Sequence, residues 1–196
     1  MKTNPPNFSE VRTSLTHPLR IATLPIGDHG GAVGVTFAPG KHQPVAMTGV
    51  WQRDLRIDLN AIRQWGASHL ITLLEPAEFE ELKITELPRE ARAHSLHWYG
   101  LPITDGAAPD SRFLIPWRAL QPELLRGIES GKRVVVHCKG GLGRAGTVAC
   151  MLLLASGAAS TADEAMEKVR TVRRGAIETP EQEEFLRAWS VREKPQ

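Results

Sequence analysis

Between Arg133 and Leu154 the chain reads RVVVHCKGGLGRAGTVACMLLL, and two spacings inside that stretch could carry chemistry. His137-Cys138 followed by Arg144 spells H-C-x5-R, which suits a cysteine nucleophile facing an oxyanion. Overlapping it, Gly141-Leu142-Gly143-Arg144-Ala145-Gly146 spells G-x-G-x-x-G, which suits the pyrophosphate of a dinucleotide. Both follow an apolar strand and open a helix, so the residues around them must decide.

A dinucleotide site needs a βαβ unit and an acidic residue ~20 positions on, at the end of the next strand. Counting from Gly141 reaches Asp163 and Glu164, which open a helix, and the chain beyond reads as helical. A Walker-type loop fails as well, because no lysine stands at the required place before Gly146-Thr147. The cysteine reading explains more of the same residues. Lys139, Gly140, Gly141, Leu142 and Gly143 can curl so that their N–H groups point into one cup, and the glycines let an anion approach the backbone. The cup sits on the N-terminus of a helix, where unpaired N–H groups and the dipole favour negative charge. Arg144 can grip two phosphoryl oxygens in a bidentate fashion. The same field favours a thiolate at Cys138. His137 is expected to orient the loop through its ring nitrogens rather than to transfer protons.

These residues need a scaffold. Arg133–His137 is the clearest strand, and the helix from Ala145 to Ser156 is apolar nearly all round, hence central and buried. Ile21–Pro25 and Val33–Phe37, joined through Gly27–Gly31, predict an early hairpin. Asp54 caps a helix whose Leu55, Leu59, Ile62 and Trp65 recur at helical spacing, with Gly66 past its end. His69–Leu74 reads as a buried strand, Pro76–Leu82 as a short helix, and Leu96–Ile103 as a further strand leading into the loop Thr104–Asp110. A helix is expected from Trp117 to Glu129, interrupted or restarted at Pro122. Thr161-x-x-Glu164 and Thr179-Pro-Glu-Gln182 each predict a capped helix start. Alternating strands and helices give an α/β fold with a central mixed, mostly parallel sheet flanked by helices. Residues 1–18 are expected to form a flexible tail and 19–192 a single domain.

Composition narrows the class. A formal charge of +2 on 196 residues does not argue for nucleic acid or membrane partners. The longest apolar run, Val148–Ala155, is far short of the ~20 residues a membrane span needs. Two cysteines, Cys138 and Cys150, cannot build a disulfide scaffold and fit the reducing cytoplasm; Cys150 reads as core packing. The seven histidines show no metal-ligand spacing, and no cofactor is implied.

HCKGGLGRAGT resembles the active-site loop of the cysteine-dependent protein tyrosine and dual-specificity phosphatases, and most nearly the cyclin-dependent-kinase-associated phosphatase group. LPITDGAAPD resembles that group's general-acid loop and GAIETPEQEEFL its C-terminal segment, while VTFAPGK and HLITLLE match its N-terminal half more weakly. The resemblance implies metal-independent phosphomonoester hydrolysis on a phosphotyrosine-phosphatase-like fold, through a phosphocysteine at Cys138, with Arg144 and the loop amides binding the phosphoryl group. It implies a general acid at Asp105, with Asp110 the rival or simply a helix cap. It implies a phosphorylated protein substrate; no stretch resembles the tyrosine-recognition loop of the larger classical enzymes, so a shallow dual-specificity site is expected, on a monomer.

The chain also departs from the family. Ala145 stands where these enzymes place a Ser or Thr whose hydroxyl helps the sulfur leave, and the phosphatases of regenerating liver resemble it in this. Thr147 is an uncertain substitute. The water-positioning glutamine corresponds to Glu178 or Gln182; Gln182 doubles as a capping residue for Thr179, and Glu178 reads rather as exposed loop charge. Lys139 adds charge at the mouth, as a solvated lysine or as a preference for phosphoinositides and other small phosphates. Arg173-Arg174 either lines the same rim or balances a helix end. Trp51 and His97-Trp98-Tyr99 read as core or sheet edge. Ala145 keeps a second class open, a low-turnover phospho-ligand binding module on the same fold.

Overall fold

Val134, Val135 and Val136 form the middle of β7 (Arg133–Cys138), and the rest of the sheet is arranged on both sides of that buried run. The structure is a computed structural model that describes residues 11–46 and 49–192. On one side β7 pairs in parallel with β2 (Gly31–Phe37), with Phe37 opposite Cys138; on the other it pairs in parallel with β5 (Ala67–Thr72), with Thr72 opposite His137. β6 (His97–Gly100) extends the parallel set beyond β5, and β1 (Ala22–Ile26) closes the far edge as the antiparallel arm of the expected hairpin. The order is β1-β2-β7-β5-β6. A separate two-stranded piece pairs β3 (His42–Gln43) with β4 (Trp51–Gln52).

Alternation along β7 divides the core into two layers. Val135 joins Leu59 and Ile62 of α1 (Leu55–Gln64), Leu70 of β5 and Leu87 of α3 (Leu87–Ala93). Val134 and Val136 face the other layer, with Trp117 of α4 (Ser111–Glu129), Val148 of α5 (Gly143–Ala155), Val169 of α6 (Ala162–Val172) and Leu186 of α7 (Pro180–Arg192). A parallel sheet covered on both faces needs this pattern, because neither face can be polar. Between β5 and α3 lies the short helix α2 (Pro76–Glu81). The sequence reading places it, from Pro76 to Leu82, but assigns no element to α3. Among the described residues no helix is long and apolar enough to cross a membrane.

Three boundaries differ from the sequence reading. α4 begins at Ser111 rather than near Trp117 and runs through both Pro116 and Pro122. Asp110 starts it by accepting from the Arg112 N–H at 2.9 Å. Both prolines lie on the exposed side, while Phe113, Trp117, Leu120, Leu124 and Ile128 keep one buried stripe across them, so packing offsets the lost backbone bonds. β6 is shorter than Leu96–Ile103, although Leu101 and Ile103 still donate to the carbonyls of Thr72 and Leu73. The expected N-terminal tail also ends earlier. Residues 1–10 lie outside the described residues, but Arg12 bridges to Trp51, the Ser14 hydroxyl accepts from the Asp54 N–H at 2.9 Å, and the His17 carbonyl accepts from Arg53 at 2.7 Å.

Arg53 ties this N-terminal stretch to the domain through a buried ion pair. Its Nε and Nη2 donate to Asp58 at 2.7 and 2.8 Å, and Asp58 also accepts from the Gly40 N–H at 2.8 Å. Both side chains are fully buried, so either charge alone would be uncompensated. Asp58→Ala should lower the unfolding free energy in urea by about 3–5 kcal/mol, whereas the double variant Arg53→Met/Asp58→Leu should lose less than half of that. A single-variant loss under 1 kcal/mol would show that the pair does not hold this corner.

Candidate active site

The carboxyl ends of parallel strands are where such folds expose their loops, and β7 ends there at Cys138. The chain then turns back within Lys139–Leu142 before α5 begins. Gly141 makes the turn possible: its φ is +69°, and a Cβ there would lie 2.4 Å from the Thr36 carbonyl. Its N–H donates to Cys138 Sγ at 3.2 Å. Cys138 itself is 3% exposed and lies in the wall of a cavity of about 500 Å³, together with Lys139, Gly140, Leu142 and Asp105. α5 has no side-chain cap at its start, which leaves its first N–H groups to find other partners.

His137 is completely buried, and its Nε2 shares a 2.7 Å hydrogen bond with Thr72 Oγ1. Thr72 Oγ1 also accepts from Trp98 Nε1 at 2.9 Å, so one hydroxyl links the two rings. Burial pushes the His137 pKa down to about 3. A ring that stays neutral agrees with an orienting role.

Arg144 is not in the cavity wall. It is 1% exposed and turned toward Glu78 of α2, to which Nη1 and Nη2 donate at 2.6 and 2.8 Å. Nη1 also reaches the carbonyls of Ile103 and Leu73, and Nη2 lies 3.0 Å from Asp105 Oδ1. Its Nε–H is buried without a partner among the described residues. Burial works against the charge of Glu78, but the guanidinium outweighs it and holds the carboxyl below the usual range. Burial likewise opposes the Arg144 charge, and Glu78, Cys138 and Asp105 together raise its pKa. Nothing in the sequence separates Glu78 from Glu75, Glu80 and Glu81; the sheet order is what brings it to Arg144.

Of the two loop aspartates, Asp105 faces the cavity and Asp110 caps α4 while pairing with Arg112. The loop between them is tied to the C-terminal segment: Thr179 donates to the Gly106 carbonyl, Gln182 to the Ala107 carbonyl, and Glu181 accepts from the Ala108 N–H. Gln182 is fully buried. Its Oε1 accepts from the Glu178 N–H at 2.9 Å, one residue short of the Thr179 N–H that a capping box would use, and it does not line the cavity. Its amide joins two loops.

Glu178 is not simply exposed loop charge. Its Oε2 accepts from the Gly143 N–H at 2.7 Å, within the cavity wall, on a donor that a bound oxyanion would otherwise take. Trp51 is buried yet lines the cavity beside Phe37, a role beyond core or sheet edge. Lys41, which the sequence reading passes over, lies there too. It is 5% exposed, and burial pushes its pKa down to about 8, against the attraction of Cys138. Lys139 pairs with Glu81 at 2.6 Å, and Arg173 donates to the carbonyls of Gly141 and Gly140. Ala145 is buried and brings no hydroxyl. Thr147 is no substitute, because its hydroxyl donates to the Gly143 carbonyl at 2.9 Å. Cys150 is buried in the core, where desolvation pushes its thiol up to about 12. Among the described residues no group of three or more His, Cys, Asp or Glu is arranged to hold a metal ion.

Residues 43–186 match the family described as a Swiss Army Knife protein, DSP-PTPase phosphatase domain (PTP-SAK). The chain is 27% identical to the cyclin-dependent kinase inhibitor 3 of Mus musculus over 173 residues, which covers 86% of this chain and 77% of that protein. It is 26% identical to a probable protein tyrosine phosphatase type IVA A of Dictyostelium discoideum over 141 residues, 72% of this chain and 78% of that one. Its fold is similar to that of a kinase associated phosphatase carrying serine in place of its catalytic cysteine. There the TM-score is 0.77 at 22% identity, and the match covers 90% of this chain and 96% of that one.

Two outcomes follow from this geometry. His137 has a folded pKa of about 3 against about 6.5 when unfolded, so the unfolded state binds the extra proton between those values. Its contribution to stability is complete above pH 6.5 and is lost as pH falls toward 3, by up to about 1.4 kcal/mol per unit. Urea titrations should show that slope flattening in His137→Gln, and an identical slope would contradict it. Glu178→Gln removes a carboxylate that competes for the Gly143 N–H, so tungstate should bind about 3–10-fold more tightly. Weaker binding in that variant would show that Glu178 helps the anion rather than opposing it.

Proposed function

The chain belongs to the DSP-PTPase family of cysteine-dependent protein phosphatases, and from that premise we propose that it hydrolyses phosphomonoesters of proteins in two steps on Cys138. The observation that carries this reading is Cys138 in a cavity wall at the end of β7, its sulfur accepting from the Gly141 N–H at the turn into α5. In the first step the sulfur attacks phosphorus, the bond to the leaving oxygen breaks, and its electron pair stays on that oxygen. Asp105 supplies the proton. In the second step water attacks the phosphocysteine, the S–P bond breaks with its electrons returning to sulfur, and Asp105 accepts a proton from the water.

Arg144 and the loop amides stabilise the equatorial oxygens as charge spreads over them. The unpartnered Nε–H of Arg144 supports this role, since a buried donor left unsatisfied costs about 1–3 kcal/mol and a phosphoryl oxygen would meet it. The contact between Arg144 Nη2 and Asp105 gives the two roles an order. A dianion that takes Nη2 displaces Asp105, whose carboxyl can then turn to the leaving oxygen. Gly106, with φ +77°, is the natural pivot for that movement.

The second step lacks a helper. Ala145 offers the departing sulfur no hydroxyl, and Thr147 has donated its own to the Gly143 carbonyl. Phosphocysteine hydrolysis therefore limits turnover. The substrate is a phosphorylated protein, with a tyrosine or a serine or threonine ester, and Gln182 acts through the two loops it joins. Turnover of para-nitrophenyl phosphate at mildly acidic pH tests the scheme. Cys138→Ser should abolish it, and Asp105→Asn should lower it by roughly 10²–10³-fold, as loss of a general acid does. Ala145→Ser should raise kcat several-fold. Activity surviving Cys138→Ser would overturn the mechanism.

A further inference from the structure

Asp105 must come within hydrogen-bond reach of the leaving oxygen, yet it stands on an exposed loop with its side chain 70% exposed. Something other than burial has to hold it. Part of the answer is local. The Ala107 N–H donates to the Thr104 carbonyl at 3.1 Å and closes a tight turn with Asp105 and Gly106 at its corners. Gly106 takes the positive φ, +77°, that the third residue of one such turn requires. A turn fixes its own shape but not its place on the protein.

Two exposed side chains fix the place. Arg112 spans the neck of the loop: Nη2 donates to Thr104 Oγ1 at 2.7 Å and Nε to Asp110 Oδ2 at 3.0 Å. One planar group thus ties the first residue of the loop to the last. Its Nη1 donates to Glu75 Oε1 at 3.0 Å, and the Thr104 hydroxyl donates to the same oxygen at 3.1 Å. Glu75 is the N-cap of α2, the helix that brings Glu78 to Arg144. The acid loop and Arg144 therefore take their positions from one short helix. On the other side Glu181, in the first turn of α7, accepts from the Ala108 N–H at 3.0 Å. Thr179 and Gln182 hold the carbonyls of Gly106 and Ala107, but each also serves its own segment. Among the described residues the Glu181 carboxylate has no other partner.

We infer that Arg112 and Glu181 are positioning residues for the general acid, clamping the Asp105 turn from its two sides without touching the reacting atoms. The inference rests on the phosphatase reading above, with Asp105 as the acid. What the clamp leaves free is the Asp105 carboxyl and the peptide that joins it to Gly106, which is the movement its release from Arg144 needs. Magnitudes separate this role from a structural one. Exposed pairs of this kind add little to stability, and many add nothing measurable. A displacement of about 1 Å at a reacting group, in contrast, can cost roughly 10²-fold in rate. Loss of either clamp should leave the fold intact and blunt proton transfer.

The test compares kcat/KM of the full chain, which reports the transfer to Cys138, on para-nitrophenyl phosphate and on phenyl phosphate. Phenolate is the more basic leaving group and depends more on the acid. Arg112→Met and Glu181→Ala should each lower kcat/KM about 10-fold on phenyl phosphate and about 3-fold or less on para-nitrophenyl phosphate, with circular dichroism unchanged. Glu181→Gln, which keeps an acceptor oxygen, should return to about 2-fold of the wild-type values or better. In an Asp105→Asn background neither substitution should cost more than about 2-fold further, because the acid it positions is gone. An equal loss on both substrates would overturn the inference, as would a loss undiminished in Asp105→Asn or a Glu181→Gln variant no better than Glu181→Ala. Unchanged kcat/KM in the variants would overturn it too, and the Glu181 pair decides alone if Arg112→Met does not fold. A wild-type chain that leaves para-nitrophenyl phosphate intact would sink the phosphatase reading instead.

Discussion

The bidentate pair between Arg144 and Glu78 is the contact on which the site depends. A guanidinium that is 1% exposed is costly to bury without a partner, and Glu78 meets it with two hydrogen bonds. The same side chain reaches the carbonyl that follows β5, the carbonyl that follows β6, and Asp105 on the loop beyond. One buried charge therefore gathers the start of α5, helix α2 and the acid loop. That gathering is possible because β7, β5 and β6 are adjacent and parallel, so their carboxyl ends deliver these groups to one side of the sheet.

The charges around the cradle are arranged as a set of exchanges. Asp105 sits on Arg144, and Glu178 sits on the Gly143 N–H. In the proposed mechanism a phosphoryl dianion binds by taking over both donors, since it carries more charge and more acceptor oxygens than either carboxylate. Binding would in that mechanism turn Asp105 from a partner of Arg144 into an acid available to the leaving group. Lys41 and Arg173 lie outside this exchange. They hold carbonyls of Lys139, Gly140 and Gly141, which helps turn the loop amides inward and keeps positive charge beside the entrance.

The parts of the site that were legible in the sequence are those that are local in it. β7, the glycine turn and α5 are contiguous, so the strand pattern, the positive-φ glycine and the Cys–Arg spacing can be read together. The hairpin, the Asp54 cap and the alternation of strands with helices were legible for the same reason. Glu78, Lys41 and Glu178 were not, because each acquires its role from a residue 35 to 98 positions away in the chain. A charged residue in a loop or short helix carries no local mark of its partner. Pro122 misleads in the opposite sense: its local rule favours a break, and the buried stripe from Phe113 to Ile128 overrides it. The capping reading of Gln182 was half right, since Thr179 does cap α7 while the amide serves other backbone groups.

The central claim is that the phosphoryl group passes to Cys138 and leaves it slowly. Rapid quench of the full chain with para-nitrophenyl phosphate, with mass analysis of the quenched protein, tests this most directly. The account predicts a first burst approaching one nitrophenol per chain, a slower steady rate, and a phosphoryl group on Cys138 at quench times spanning that steady phase. Linear release from the first turnover with Cys138 unmodified, or a phosphoryl group on any other residue, would contradict it.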